Sequence, residues 1–322
     1  MIDYCILGSG ISGSTIANLL SKKHSVVVVD KSKGIGGRTS NKRLKTFSFD
    51  HGLQYYSSKN KQFEKFLNLL MKKKVLKYWN GNHLDFTFKK KIVSRKIIGT
   101  NGNNNLCKFL LNNINKILDT EILSIKYKEK KWIIKSKHKL ILAKNVIITF
   151  PFQQTVSLAK KFLKKNILDL KVKMEPNLTL LVSENNAKRI PISSIKLSNS
   201  ILSWISNENS KERFISKKNL WTIQTNYKFS NKNINFYKKK RAYYSKLILN
   251  EFVKITGIKK KKLKIIKIHG WKYSYNRNKT KFKSYWDNNI GFGLCGDWLI
   301  GPNAESAWLS ASNLYSQIKK PA

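Results

Sequence analysis

Six residues near the N-terminus, Gly8-Ser9-Gly10-Ile11-Ser12-Gly13, have the spacing of a phosphate-binding turn. In such a turn the first glycine permits a sharp bend, the second lets the backbone approach a pyrophosphate, and the third allows close helix–strand packing. A helix that begins there offers free N–H groups and positive potential to phosphates. Asp30 ends the next hydrophobic run, where its carboxylate can accept hydrogen bonds from a ribose diol. These residues predict a dinucleotide site; the simpler alternative is that the glycines serve only a tight turn.

A second glycine-rich loop follows the aspartate directly, from Lys31 through Gly36 and Gly37 to Arg38. The two adjacent glycines can present backbone N–H groups, and Arg38 can offer a two-pronged guanidinium to a phosphate. Folds that bind NAD need no second loop at this position. The loop therefore favours FAD as the dinucleotide.

Three contiguous elements must position these residues. Ile2–Leu7 is a short apolar run that predicts a buried parallel strand, and Ile11–Ser21 has helical spacing. Ser25–Asp30 contains four consecutive valines, which favour a second buried strand. Strand, helix and strand within thirty residues predict a βαβ unit with a right-handed crossover.

The rest of the chain predicts a mixture of helices and strands. Helices are expected over Gln62–Lys74, from Leu106 to Leu111 with an extension to Leu118, and over Glu305–Ile318; strands are expected within Val75–Arg95, over Glu121–Tyr127, Trp132–Lys135, Leu140–Leu142, Asn145–Phe150 and Ile290–Cys295. From about 152 to 277 the elements show no βαβ rhythm, as in a separate substrate domain.

Five segments resemble those of a known family. The second glycine loop is similar to that of the amine-oxidase-like FAD superfamily, which includes monoamine oxidases, phytoene desaturases and renalases. Phe49-Asp50-His51-Gly52-Leu53-Gln54-Tyr55-Tyr56 resembles the Asp-x-Gly-Ala-Gln-Tyr-Phe segment of renalase-like proteins. His269-Gly270-Trp271-Lys272-Tyr273, Cys295-Gly296-Asp297-Trp298 and Glu305-Ser306-Ala307-Trp308-Leu309-Ser310 resemble their C-terminal signature. Lys272, Ser306 and Leu53 depart from the usual arginine, glycine and alanine, and arginine and lysine are not interchangeable where a planar fork is used.

The resemblance implies FAD binding and a set of cofactor contacts. It places Asp297 beside a ribityl hydroxyl or a pyrophosphate-bound water, and the helix that begins near Glu305 at the flavin N1–C2=O edge, where its dipole stabilises the reduced flavin. The simpler interpretation of Asp297 is a turn aspartate. The predicted cofactor-binding residues are Gly8, Ser9, Gly10, Ile11, Ser12, Gly13, Asp30, Lys31, Gly36, Gly37, Arg38, Gly52, Gln54, Gly296, Asp297, Glu305, Ser306 and Ala307.

Five residues are candidates for substrate contact. Tyr55, Trp271 and Tyr273 can wall a flat pocket and stack on a nicotinamide-like ring, although core packing is an equal alternative. His51 and His269 can assist proton transfer or bind a substrate phosphate, although a structural role is the simpler interpretation. No side chain is assigned as catalytic, because flavin N5 accepts the hydride.

Composition limits the classes of protein. The net charge of +47 arises from 64 Lys+Arg against 17 Asp+Glu, and the lysines occur on nearly every segment. This favours solvated surface charge that attracts anionic ligands over a specific nucleic-acid site. Cys5, Cys107 and Cys295 lack metal spacing and indicate a reducing compartment, so we expect a cytoplasmic protein with no metal. No signal peptide and no apolar run long enough to span a membrane is expected.

The predicted fold class is α/β: a Rossmann-type FAD-binding domain with a discontinuous, mixed α+β substrate domain. The FAD-binding domain is expected to comprise 1–60, 96–150 and 285–322, and the substrate domain 61–95 and 151–284. The resemblance implies oxidation of 2- and 6-dihydro-NAD(P) isomers to NAD(P)+ by hydride transfer, with O2 reoxidising the flavin to H2O2. The alternatives are an amine oxidase, expected to have an aromatic cage, or a desaturase, expected to have an apolar tunnel. A protein that binds FAD without catalysis, or that associates with nucleic acid, is the alternative from another class.

Overall fold

The structure is a computed structural model that describes residues 1–86, 90–93, 95–185, 191–278 and 280–319. Part of the region in which strands are predicted, 75–95, and the last three residues of the predicted FAD-binding domain lie outside these ranges. In 90–93 only the backbone is described.

The N-terminal βαβ unit is confirmed. Strand β1 (Ile2–Leu7), helix α1 (Ile11–Leu20) and strand β2 (Val26–Val29) follow one another, and the two strands are parallel, with Cys5 opposite Val27. The four valines of β2 are all buried because an apolar cluster covers each face of the sheet, with Val27 and Val29 in one cluster and Val26 and Val28 in the other.

The first sheet has eight strands, and its hydrogen-bonded path runs β10-β11-β12-β1-β2-β9. β19 pairs in parallel with the second half of β12, and β18 pairs with β19. The strands not yet given bounds are β9 (Asn115–Ile117), β10 (Ile122–Lys128), β11 (Lys131–Ser136), β12 (Leu140–Ile148), β18 (Tyr285–Asp287) and β19 (Phe292–Leu294). The predicted strands Leu140–Leu142 and Asn145–Phe150 are thus one continuous strand, β12.

The helical extension to Leu118 is wrong. Helix α3 (Asn105–Leu110) ends at Leu110. Strand β9 follows as a parallel neighbour of β2, with Lys116 opposite Val28. The Lys116 ammonium donates to the Leu111 carbonyl at 2.7 Å and so satisfies an acceptor at the helix end. Burial of Ile114 against the sheet outweighs the local helical spacing.

The second sheet has seven strands in the order β17-β13-β16-β15-β14-β6-β7. Its strands are β6 (Asn82–Asp85), β7 (Lys90–Val93), β13 (Met174–Glu184), β14 (Ser194–Lys196), β15 (Leu202–Asn207), β16 (Asn219–Thr225) and β17 (Leu263–Asn276). Neighbours pair antiparallel, except that β14 and β6 are parallel. On one face Leu178, Leu180, Ile223 and Ile268 join an apolar core that includes residues of α7 (Arg241–Thr256). The opposite face carries polar and aromatic side chains.

The remaining elements connect the two sheets. They are the two-stranded pairs β3 (Asn41–Arg43) with β4 (Ser48–Asp50) and β5 (Leu76–Trp79) with β8 (Lys96–Gly99), and helices α2 (Lys61–Lys72), α4 (Phe152–Ala159), α5 (Lys165–Leu168), α6 (Tyr227–Asn233), α8 (Asp297–Ile300) and α9 (Ala304–Lys319). Phe63 and Leu67 of α2 pack with Leu106 of α3 and Ala307 of α9. None of the helices in the described ranges is long and apolar enough to cross a membrane.

Candidate functional site

The glycine turn joins β1 to α1 and has the geometry that its spacing predicts. Gly8 has φ +111°, a conformation that disfavours any side chain, and a Cβ on Gly13 would lie 1.9 Å from the Gly8 carbonyl oxygen. A Cβ on Gly10, by contrast, would meet nothing closer than the Gly36 carbonyl oxygen at 3.9 Å. None of the described side chains caps α1, so the N–H groups of Ile11, Ser12 and Gly13 have no intrahelical acceptor and no side-chain acceptor among the described residues. The turn therefore presents open space beside free donors.

Asp30 lies beside this turn and is buried. Its Oδ2 accepts from the backbone N–H of Ser9 at 2.8 Å and from the Ser9 hydroxyl at 2.6 Å. Its Oδ1 accepts from the backbone N–H of Ser32 at 2.8 Å. A carboxylate has about four acceptor positions, so one remains for a further hydroxyl. Ser9 thus orients the acid, a role that its position in the fingerprint does not reveal.

The second glycine loop packs directly on the first. Gly36 donates its N–H to the Ser9 carbonyl at 3.1 Å, and a Cβ on Gly37 would lie 3.3 Å from the Gly10 Cα. Arg38 forms a bidentate pair with Asp297, with N···O distances of 2.7 and 2.6 Å. It also donates to the Ser274 carbonyl at 3.1 Å. The structure thus joins Arg38 and Asp297, two predicted cofactor-binding residues from opposite ends of the chain. Lys31, which is also predicted to bind the cofactor, is exposed.

The predicted cofactor-binding residues of the C-terminal segment lie beside the glycine turn. Ser12 donates its hydroxyl to the Ala307 carbonyl at 2.9 Å, and α9 begins at Ala304. Ser306 donates its N–H to the Asn303 side chain at 2.7 Å, and Gly296 donates its own to the Ser310 hydroxyl at 2.9 Å.

Glu305 has a clear structural partner at the start of α2. Its Oε2 accepts from the N–H groups of Lys59 at 2.7 Å and Asn60 at 2.9 Å and from the Ser58 hydroxyl at 3.0 Å. These bonds hold α2 against α9.

The segment from His51 to Tyr55 crosses the polar face of the second sheet. A Cβ on Gly52 would lie 2.0 Å from the Arg38 carbonyl oxygen, and Leu53 donates its N–H to that oxygen at 2.9 Å. The Gly52 carbonyl accepts from the Gln224 amide of β16 at 2.8 Å. Gln54 is buried and accepts from the Ser206 hydroxyl of β15 at 2.8 Å. Glycine is required at position 52 because the backbone of the second loop lies against it.

One end of this segment forms an aromatic cluster. The ring of His51 stacks on Trp271 with centroids 5.3 Å apart and meets His269 edge-on at 5.1 Å. Trp271 donates its indole N–H to the His51 carbonyl at 2.8 Å. The buried Nδ1 of His51 has no hydrogen-bond partner among the described residues. The structure therefore brings three of the five predicted substrate residues together.

Both histidines of this cluster are neutral at physiological pH. Burial, with a smaller contribution from the neighbouring His269, lowers the pKa of His51 to about 4. Burial, together with repulsion from Lys267 and Lys238, lowers the pKa of His269 to about 4 as well. A neutral imidazole has one donor and one acceptor, so each ring can hydrogen-bond a substrate without carrying charge.

The other two candidates lie apart from this cluster. Tyr55 packs on Trp204 of β15, with ring centroids 5.5 Å apart. Tyr273 packs among the apolar residues around Trp298 and Leu299. Sequence reasoning missed Trp204 and Gln224, because no motif surrounds either of them.

Sequence reasoning also missed a fully buried charge network next to this segment. The Lys211 ammonium lies 2.9 Å from Asp50 Oδ2 and 2.9 Å from Glu208 Oε2, and Arg213 also contacts Asp50 Oδ2. Asn103 adds its backbone N–H to Asp50 Oδ1 at 2.9 Å. Burial alone would raise the pKa of Asp50, but Arg213 and Lys211 hold it below its ordinary range. The network fixes β4, and hence His51 and Gly52, against the second sheet.

Surface depressions lie elsewhere. One of about 730 Å³ is lined by Asn68, Met71, Lys72, Lys74, Leu76, Lys77, Tyr78 and Thr100, and none of these is a predicted site residue. We assign no function to it, because the groups that converge chemically lie around the glycine loops. Within the described residues, no group of three or more His, Cys, Asp or Glu side chains could hold a metal ion.

Comparison with known proteins agrees with this architecture. Residues 6–70 match the NAD(P)-binding Rossmann-like domain family. A protein assigned as a protoporphyrinogen oxidase from Exiguobacterium sp. 255-15 is 11% identical, with a TM-score of 0.71 and 98% of each chain covered. Putrescine oxidase bound to putrescine is 10% identical, with a TM-score of 0.66 and 98% of each chain covered. Cyclohexylamine oxidase from Brevibacterium oxydans IH-35A is 9% identical, with a TM-score of 0.67, and the match covers 99% of this chain and 100% of that one. The chain therefore shares the α/β fold of these oxidases, with a Rossmann-type dinucleotide-binding region at its N-terminus.

Proposed function

We propose that the protein is an FAD-dependent oxidoreductase. The observation that carries the proposal is the convergence of two glycine loops, Asp30 and the Arg38–Asp297 pair at one edge of the first sheet. The buried first turn of α1 fits a pyrophosphate, because its N–H groups lack acceptors in the part of the chain that the structure describes. The fold shared with oxidases along nearly the whole chain supports a redox enzyme.

The residues present fit FAD in kind and in place. The N–H groups of Ile11 to Gly13 would hold the pyrophosphate, and the spare acceptor position of Asp30 would bind the adenosine ribose. Arg38 and Asp297 supply a phosphate donor and a hydroxyl acceptor within one ion pair. The N–H groups of Ser306 and Ala307 already donate to Asn303, so the start of α9 would act on the flavin through the positive end of its helix dipole.

We propose a dihydro-nicotinamide dinucleotide, the 2- or 6-dihydro isomer of NAD(P)H, as the substrate. Bound FAD would accept a hydride from the dihydro-nicotinamide ring to leave NAD(P)+, and O2 would then take the two electrons, with two protons, to form H2O2. The neutral rings of His51 and His269 beside Trp271 provide a flat, uncharged wall for the nicotinamide. Support for this substrate comes from the Phe49–Tyr56 and C-terminal segments that resemble those of renalases.

The second candidate is amine oxidation, favoured by the shared fold of putrescine oxidase and cyclohexylamine oxidase. The two candidates differ in the charge of the substrate, because a dinucleotide is an anion and an alkylamine is a cation. The charge of the residues that line the site therefore bears on the choice.

Anaerobic stopped-flow absorbance tests the proposal. FAD-loaded protein is mixed separately with 2-dihydro-NAD, 6-dihydro-NAD, ordinary NADH, putrescine and cyclohexylamine. We expect fast loss of the oxidised-flavin absorption with a dihydro isomer and not with ordinary NADH. Reduction by an amine alone would replace this substrate with the second candidate, and failure to retain FAD would refute the flavoprotein assignment itself.

A further inference from the structure

We propose that Lys96, Tyr55 and Trp204 form a subsite that binds an anionic group of the substrate, a carboxylate or a phosphate, and rejects cationic amines. The proposal rests on the proposed function and extends it from the type of reaction to the charge of the substrate. None of the sequence motifs includes Lys96 or Trp204.

The subsite lies at one end of a row of side chains across the second sheet. Trp204 is opposite Gln224, Gln224 is opposite Thr179, and Thr179 is opposite His269, so all four side chains point to one face. Neighbouring strands are about 4.8 Å apart, so the row spans roughly 14 Å. The His51–Tyr55 segment follows this row, with His51 at the His269 end and Tyr55 at the Trp204 end.

Two hydrogen-bond donors at this end have no acceptor among the described residues. Trp204 is only 8% exposed, and its indole Nε1 is buried without a hydrogen-bond partner in that part of the chain. The ammonium of Lys96 lies 4.3 Å from the centroid of the Tyr55 ring and 5.9 Å from that of Trp204. No hydrogen bond or ion pair joins it to any residue within the described ranges. Because indole and ammonium groups only donate, a ligand that satisfies both must supply acceptors.

The local charge favours an anion over a neutral acceptor. Asp85, the nearby acid, is paired with Lys196 at 3.1 Å, so the group of Asp85, Lys196 and Lys96 carries one net positive charge. Burial lowers the pKa of Lys96, Asp85 opposes that shift, and Lys196 adds to it. An anionic ligand would stabilise the ammonium and replace the hydration that burial removes.

The same lysine disfavours amines. Aromatic faces attract ammonium groups, and the pair of Tyr55 and Trp204 would suit a substrate amine if its faces were free. Here the chain's own ammonium lies over Tyr55, so a second cation would meet like-charge repulsion. We therefore expect the site to differ from an amine cage in its charge, although its aromatic residues are of the same type.

Isothermal titration calorimetry on the FAD-loaded protein tests the subsite independently of turnover, because bound FAD would occupy the pyrophosphate site at α1. The probes are inorganic pyrophosphate, benzoate and benzylamine, so that the first two distinguish a phosphate site from a carboxylate site. The variants are Lys96→Met, Lys96→Arg and Trp204→Phe. Lys108→Met is the matched control, because Lys108 is a half-buried lysine whose pKa burial also lowers.

We expect Lys96→Met to weaken binding of at least one anionic probe by about tenfold to a hundredfold, since a hydrogen bond to a charged group is lost. Trp204→Phe should weaken the same probe by about fivefold, and Lys96→Arg should retain most of the affinity. Benzylamine should bind Lys96→Met more tightly than the wild type. If Lys96→Met does not fold, Trp204→Phe and Lys96→Arg carry the test.

Anion binding that Lys96→Met weakens no more than Lys108→Met would overturn the subsite, because general attraction to a highly cationic protein explains it. This result would leave flavin reduction by a dinucleotide untouched. Conversely, Lys96-dependent anion binding in a protein whose flavin no dinucleotide reduces would support the subsite and refute the proposed substrate.

Discussion

Replacement of Lys211 by methionine should destabilise the protein severely, although Lys211 is not one of the predicted cofactor-binding residues. Lys211 is fully buried, and its ammonium lies within 3.0 Å of three carboxylate oxygens, one from Asp50 and two from Glu208. Methionine fills a similar volume but leaves Asp50 with Arg213 as its cationic partner and takes the ammonium away from Glu208. Removing one partner of a buried ion pair typically costs about 3–5 kcal/mol of unfolding free energy.

Thermal unfolding followed by circular dichroism measures this loss. With an unfolding entropy of about 2.1 cal/mol/K per residue, a chain of 322 residues should lose about 4–7 °C in its unfolding midpoint. Lys217→Met is the matched control, because Lys217 is an exposed lysine of the same segment and its loss should cost less than about 0.5 kcal/mol. The double variant Lys211→Met with Glu208→Gln should recover part of the midpoint, because it removes the uncompensated carboxylate.

The loss should also depend on pH. The folded pKa of Asp50 lies below its unfolded value, so its ionised form stabilises the wild type above about pH 4, and this contribution is lost as the pH falls through the folded pKa. Without Lys211 the pKa of Asp50 in the folded protein rises. Asp50 of the variant therefore takes up a proton at a higher pH, and this protonation removes its buried charge. The gap between wild type and variant should therefore shrink from pH 7.5 to pH 4.5. A gap that stays constant, or a Lys211→Met midpoint equal to that of Lys217→Met, would refute the reasoning.

Three further predictions concern the cofactor region and the histidine cluster. Asp30→Asn should weaken FAD binding in a fluorescence titration by about tenfold, whereas Asp119→Asn, an exposed control, should not; equal affinities would contradict the ribose role. Gly52→Ala should lower the unfolding free energy by about 1–3 kcal/mol, because the new Cβ would meet the Arg38 carbonyl oxygen. Gly34→Ala is the control, because a Cβ at that position would meet open space. Equal denaturant midpoints for the two variants would contradict the close approach at Gly52. The pKa of His51 is about 4 in the folded protein and about 6.5 in the unfolded chain. The neutral ring therefore contributes fully to stability above about pH 6.5, and this contribution is lost as the pH falls toward 4. In urea titrations His51→Gln should reduce the dependence of unfolding free energy on pH over this range, and the exposed control His138→Gln should not.

The sequence predicts the parts of the site that are formed by residues close together in the chain. The glycines of the two loops and Asp30 lie within a stretch of 30 residues, and their backbone requirements restrict the residue types directly. The βαβ unit is equally local, because four consecutive valines favour a strand in almost any context. By contrast, the end of α3 depends on the packing of Ile114 against the sheet, and helical spacing could not reveal it.

The parts that the sequence does not predict are long-range pairings. Arg38 and Asp297 are 259 positions apart, and each has a plausible role of its own, so neither indicates the other as its partner. Lys211 is one of 64 basic residues, and nothing in its neighbourhood distinguishes it from the exposed lysines around it. Its importance comes from complete burial between two acids.

The same argument applies to substrate charge. A net charge of +47 suggests attraction to anions but does not locate a site, because most of that charge is solvated and screened by salt beyond about 10 Å. The ammonium of Lys96 differs from this background, since it is half-buried, stacked on Tyr55 and adjacent to the unsatisfied indole of Trp204. Screening is weak at such a position, so one lysine there should influence substrate choice more than many exposed lysines. Anion binding that depends on Lys96 should therefore persist at salt concentrations that abolish nonspecific attraction.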